Sequence, residues 1–199
     1  VSSPQSVRVA FAAIAERHPK LDVLINNAAL SQPFLVAEAT DDQITKIVST
    51  NLIGPMLCAR AAIPLLGRGG HIINVSSESV ALRFPHMTVY QASKAGLERF
   101  SEGLQQELES SGLKVTVVRA GQMFEEGKTW EVDAEARMRF AQAAMRAGIN
   151  LRERPLSHYR SIASVFRGVI DLPEDVQLGT VTIHARHVAA PEPRPKQCC

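Results

Sequence analysis

The sequence predicts an α/β fold, a parallel sheet with helices on both faces. Two observations carry this. Four short strand-like runs stand at 22–26, 71–75, 114–118 and 179–183, and the first is continuously apolar at its centre, as expected of a strand covered on both sides. Segments with apolar residues at helical spacing separate them, and strands alternating with helices build parallel sheets.

The elements follow in order. Ser3-Pro4 reads as an N-cap with proline at the first helical position, followed by Val7, Phe11 and Ile14 at helical spacing. His18-Pro19 ends that helix, and residues 22–26 form the first strand. Thr40 opens a second helix, with Asp41 and Asp42 placed well for its dipole. Ile44, Ile47 and Val48 form its buried stripe. Asn51 falls inside it, just before Gly54-Pro55, where the proline should disturb the hydrogen-bond ladder. The apolar face continues through Cys58, Ala61, Ala62 and Leu65 to the glycine-rich stretch 67–70.

The second strand is 71–75, and 77–89 is a loop. A long helix spans 90–109 and stops at Gly112. The third strand is 114–118. Residues 120–157 hold a loop and one helix over 133–147, ended by Gly148. Ser157 caps a last helix to Ile170, and 179–183 is the final strand. The tail 189–199 carries three prolines and is expected to be disordered, leaving one domain over 1–188.

Length and composition bound the function. The chain has 199 residues, enough for one domain with a real core. Its 45% hydrophobic and 21% charged residues are ordinary for a globular protein. A net charge of +2 gives no reason to expect nucleic acid or an anionic membrane as partner. No apolar run approaches the roughly 18 residues of a spanning helix. Three cysteines are too few for a disulfide framework. With no signal-peptide pattern, a cytoplasmic location is expected.

The chemistry concentrates in 76–94. Tyr90 and Lys94 are four residues apart, one helical turn, and so share a face. Ser77 lies thirteen residues before Tyr90, where an apolar strand ends. A hydroxyl at a strand tip can thus face a phenol and an ammonium at a helix start. Three such groups can move a proton to or from an alcohol oxygen. A free phenol has a pKa of about 10, and a nearby cation favours the phenolate. We therefore expect Lys94 to lower the pKa of Tyr90.

Four stretches in order, residues 22–29, 51–54, 72–77 and the Y-x-x-x-K at 90–94, resemble the short-chain dehydrogenase/reductase family. The resemblance implies a doubly wound Rossmann-type sheet and a nicotinamide cofactor, NAD(P)(H), with NAD against NADP open. It implies an oxidoreductase that interconverts a secondary alcohol and a ketone by hydride transfer. It makes Tyr90 the general acid-base. Lys94 lowers its pKa and binds the nicotinamide ribose, Ser77 holds the substrate oxygen, and Asn51 keeps a water in a proton relay. Asn27 and Ala28 line the cofactor's adenosine side, and backbone near Gln122 holds the carboxamide. A homodimer or homotetramer is implied, with Leu97, Leu104 and Leu108 either at that interface or in the core.

The chain departs from the family twice. No glycine-rich turn is present, so the first βαβαβ half, roughly 60 residues, is expected to be missing. The piece alone is then expected to be inactive, with a bare strand edge beside 22–26. Where the family has Pro-Gly and then Thr, residues 119–125 read R-A-G-Q-M-F-E, with Glu125 in place of the hydroxyl.

Other signals are weaker. Met123, Phe124, Trp130, Met138, Phe140 and Met145 fit either a lid over substrate or core packing. Arginines 137, 139, 146, 152 and 154 could meet an anionic carrier. However, Asp133–Arg137 and Glu135–Arg139 sit at i,i+4, which favours a solvated helix face. His86 reads as an exposed loop histidine that could reach substrate. His184 and His187 lack a third ligand nearby, and no metal is expected. Cys198-Cys199 matches a prenylation pattern without other membrane signals. The second functional reading is a catalytically silent family member, serving as partner subunit or scaffold.

Overall fold

The structure is a computed structural model and describes residues 1–127 and 130–187. The tail and its Cys198-Cys199 pair lie outside the described residues. The elements are α1 (Pro4–Arg17), β1 (Leu21–Asn26), α2 (Asp41–Val48), a π-helical turn (Ser49–Ile53) and α3 (Gly54–Ala62). Then come β2 (Leu66–Ser77), α4 (Thr88–Leu108), β3 (Lys114–Ala120), β4 (Met123–Phe124), α5 (Ala134–Arg146), β5 (Ser157–His158), α6 (Tyr159–Ile170) and β6 (Thr180–Ile183).

The main sheet has the order β1-β2-β3-β6, and every pairing is parallel. Alternation along β2 sorts its side chains between two faces. Ile72 joins the core beneath α3 and α4, with Ala59, Ala62, Leu104 and Leu108. Ile73 faces the opposite way, against Val165, Phe166 and Val169 of α6. Helices thus cover both faces of a parallel sheet, as predicted. β1 is the edge strand, and Ile25 on it is 41% exposed. Leu97, Leu104 and Leu108 are buried within this chain, which rules them out as surface for a second copy.

Several local expectations are corrected. Residues 67–70 do not break the chain between helix and strand; they lie inside β2, where the register with β1 shifts and Gly69 takes a positive φ. Residues 157–158 are strand rather than cap, pairing with 123–124, and the His158 ring caps α6 instead. Helices α2 to the 3-10 turn at 63–65 run together from Asp41 to Leu65, long and apolar enough to cross a membrane by length and composition alone. Here Ile47, Asn51, Cys58, Ala59 and Ala62 are buried along it, the pattern of a core helix.

One buried base has a consequence for stability. His71 on β2 lies within 2.8 Å of Thr116, whose hydroxyl donates to the Leu178 carbonyl at 2.7 Å. Nε2 of His71 is therefore the donor, and Nδ1 is buried without a partner. Burial, reinforced by the charge of Lys114, pushes His71 down to about 4. The unfolded chain protonates it near 6.5, so between those values the unfolded state binds more protons. Stability should fall as pH drops from about 6.5 to 4, by about 3 kcal/mol from this residue. Denaturant midpoints across that range should show the slope in the parent and a shallower one in His71→Gln.

Candidate active site

The site lies at the carboxyl ends of β1, β2 and β3, where open parallel sheets take ligands. β2 ends at Ser77, and α4 begins eleven residues later, carrying Tyr90 and Lys94 in its first two turns. Ser77 and Tyr90 are hydrogen-bonded through their side chains and face one cavity of about 430 Å³. The Ser77 hydroxyl also accepts from the Ser79 N–H at 3.2 Å. Lys94 is 3% exposed and donates from Nζ to the Val75 carbonyl at 2.6 Å. A larger cavity of about 990 Å³ adjoins the first; Ser31, Gln122 and Trp130 border both.

The electrostatics differ from the sequence expectation. Burial holds the Tyr90 phenol above its ordinary value, and the Ser77 hydrogen bond pulls it partly back. The pKa of Lys94 is lowered to about 8 by desolvation. Removing a group from water disfavours its charged form, which is neutral-seeking for phenol and ammonium alike.

Asn51 is fully buried in the π-helical turn that Pro55 follows. Its carboxamide is engaged at both ends. Oδ1 accepts from the Leu30 N–H at 2.7 Å, and Nδ2 donates to the Leu30 carbonyl at 2.9 Å and to the Ser93 hydroxyl at 3.1 Å. Ser93 in turn donates to the Tyr90 carbonyl at 2.6 Å. The side chain therefore links the loop after β1 to the first turn of α4. Asn51→Ala removes three hydrogen bonds, two of them to backbone groups of Leu30, which is 40% exposed, so each counts at about 0.5–1.5 kcal/mol. We expect a loss of about 2 kcal/mol in denaturant stability; a loss under about 0.5 kcal/mol would refute the clamp.

Asn27 and Gln122 border the larger cavity, whereas Ala28 lines a small pocket behind β1 with Phe11 and Cys58. Gly121, which lines the smaller cavity, must be glycine: a Cβ there would lie 2.7 Å from the Ile183 carbonyl. Met123, Phe124 and Trp130 line the larger cavity, and Trp130 and Phe140 the smaller. Met138 and Met145 point to solvent, so the apolar group divides. His86 borders neither large cavity; its carbonyl accepts from Phe34 N–H, and its φ is positive.

Sequence reasoning missed a second layer. Beneath the site, Arg119 makes two hydrogen bonds to Glu98, at 2.9 and 2.5 Å, and Ser76 donates to the same carboxylate at 2.6 Å. This buried group ties α4 to β2 and β3. Beside Ser77, buried Glu78 pairs with Arg154 at 2.5 Å. Only Ser76 and Glu78 flank the recognised motif; their partners are 22 and 76 residues away. Among the described residues no group of three His, Cys, Asp or Glu could hold a metal ion.

Known proteins resemble this chain in sequence and fold. The model for short chain dehydrogenases matches residues 1–132. Carbonyl reductase family member 4 of Danio rerio is 33% identical over 122 residues, 61% of this chain and 52% of its own. The 3-ketodihydrosphingosine reductase of Bacteroides thetaiotaomicron is 34% identical over 123 residues, covering 61% and 46%. A short chain dehydrogenase from Burkholderia cenocepacia J2315, solved in complex with NADP, superposes with a TM-score of 0.72 at 28% identity, over 92% of this chain and 72% of that one. A short-chain dehydrogenase from Streptomyces avermitilis shares the fold at TM-score 0.75 and 23% identity, over 91% and 66%. The chain spans about half the length of the curated relatives it matches. With two thirds of its residues matched and the sheet, cavity and Tyr-Lys helix in place, the chain belongs to the short-chain dehydrogenase family.

Proposed function

We propose that this chain is part of an NAD(P)-dependent oxidoreductase that interconverts a secondary alcohol and a ketone. The observation that carries the proposal is the meeting of Ser77 and Tyr90 in one cavity, with buried Lys94 one turn away. Reductases among the relatives and NADP in several structural neighbours support it.

The residues present fit the nicotinamide end of such a cofactor. An ammonium has three donors, and Lys94 gives one to Val75. The other two suit the paired hydroxyls of a ribose. Asn27 and Gln122 border the cavity in which Val75 lies. When bound, the cofactor gives or takes a hydride at the carbinol carbon.

The chain's own residues handle the proton. In the reducing direction Tyr90 donates its phenolic proton to the carbonyl oxygen as the hydride reaches the carbon, leaving a phenolate. Ser77 donates a hydrogen bond to that same oxygen and holds it near the phenol. In the oxidising direction the phenolate takes the alcohol proton. Burial keeps the phenol protonated at neutral pH, which suits ketone reduction. Lys94 stabilises the phenolate formed by the transfer. The filled Asn51, Ser77, Tyr90 and Lys94 positions favour an enzyme over a silent scaffold.

The test is isotopic. The complete protein, given nicotinamide cofactor deuterated at C4 and a ketone panel, should place one deuterium on the carbinol carbon of the product. Product alcohol without that deuterium would rule the hydride step out.

A further inference from the structure

The smaller cavity has one charge at its rim, on the exposed residue Arg137, that no protein group pairs with among the described residues. Its walls are apolar, from Phe84, Met87, Trp130, Phe140 and Leu151, and its floor carries Ser77 and Tyr90. Two charged residues border it, Glu78 and Arg137. Glu78 is compensated: its carboxylate pairs with Arg154 at 2.5 Å, and the Arg154 guanidinium lies over the Phe84 ring, 5.3 Å from its centroid. His184 stands 3.9 Å from the other oxygen of Glu78.

Arg137 has no ion pair or hydrogen bond from its side chain among the described residues. The partner that spacing suggests, Asp133, caps α5 by accepting from the Ala136 N–H at 3.0 Å. The neighbouring arginine takes the other nearby route: Arg139 reaches back to Glu38 with two hydrogen bonds, 2.9 and 2.7 Å. The helix face is solvated at Arg137, as expected, but the i,i+4 pairs are replaced: Asp133 caps the helix and Arg139 pairs with Glu38. Arg137, Phe140 and Ala141 stand at i, i+3 and i+4, one face of α5, and all three border the cavity.

We infer that the cavity takes a carbonyl substrate with an apolar body and an anionic end, and that Arg137 binds the anion. This rests on the ketone–alcohol reading of Ser77 and Tyr90 and assigns the other end of the same substrate. A guanidinium matches a carboxylate or phosphate through two parallel hydrogen bonds, and the one carboxylate lining the cavity, Glu78, is paired with Arg154 instead. A volume of about 430 Å³ holds a small molecule rather than a polymer.

Trp130 gives a readout that needs no turnover. It is the only tryptophan in the sequence, it borders the cavity, and its indole N–H donates to the Ser31 carbonyl at 3.0 Å. Trp130 fluorescence is titrated with 5-oxodecanoate and with its methyl ester. The acid should bind about tenfold tighter than the ester, and added salt should shrink that ratio. Arg137→Gln should bring the ratio close to one, and Arg137→Lys should restore part of it. Equal binding of acid and ester to the parent overturns the inference, as does a preference that survives Arg137→Gln. The two readings fail separately. Absence of hydride transfer with every ketone leaves the acid-to-ester ratio intact, whereas a ratio of one with turnover retained removes only the anion site.

Discussion

Tyr90→Phe should lower the turnover of the complete protein by about 10² to 10⁴, the usual contribution of a positioned acid-base. The change removes one oxygen. The ring stays, and the bond from the Ser93 hydroxyl to the Tyr90 carbonyl is untouched. Folding stability should therefore shift by no more than about 1 kcal/mol, the value of one hydrogen bond to Ser77. The pH dependence identifies the group. Burial keeps the phenol protonated through neutral pH, so alcohol oxidation, which needs phenolate, should rise with pH there. Ketone reduction should stay level until about pH 8, where Lys94 begins to lose its proton. Initial rates in both directions across pH measure this. A phenylalanine variant that keeps most of its turnover would remove Tyr90 from the mechanism.

Lys94→Met should act in opposite directions on activity and stability. Desolvation lowers Lys94 from 10.5 to about 8, so holding it charged in the folded chain costs about 3 kcal/mol. Below pH 8 both folded and unfolded chains are protonated, and the whole penalty applies. Between 8 and 10.5 the folded chain binds fewer protons, so wild-type stability should rise with pH in that window. Methionine matches the length of lysine and has no charge to desolvate. The bond from the charged Nζ to the buried Val75 carbonyl is lost, at about 2 kcal/mol, which leaves a gain of about 1 kcal/mol at pH 7 for the cofactor-free protein. The gain should fade toward pH 10, and turnover should drop as the ribose contact and the phenolate's counter-charge disappear. Destabilisation at neutral pH would mean that the Val75 bond outweighs desolvation. Trading stability for a strained, charged site is common in enzymes.

Parts of the site were readable because they are local. Tyr90 and Lys94 share a face through helical period alone, and Ser77 falls where an apolar run stops. The Ser3 and Thr40 caps are equally local, each bonding a backbone N–H three residues on. Other features depend on distant residues. Burial is the largest influence on the Tyr90 phenol, and Lys94 bonds the end of β2. The Asn51 carboxamide is engaged by Leu30 and Ser93. Arg139 chose Glu38, 101 residues away, over Glu135 on its own helix.

By itself the sequence determined the alternation of strands and helices, the parallel sheet they form, and the shared face of phenol and ammonium. Those follow from backbone repeat lengths, which each short segment carries within itself. The tertiary structure alone decided which charges are compensated, which hydroxyls and amides are engaged, and how far each proton is held. Desolvation and pairing depend on what packs around a group, and most of those neighbours lie far off in the chain.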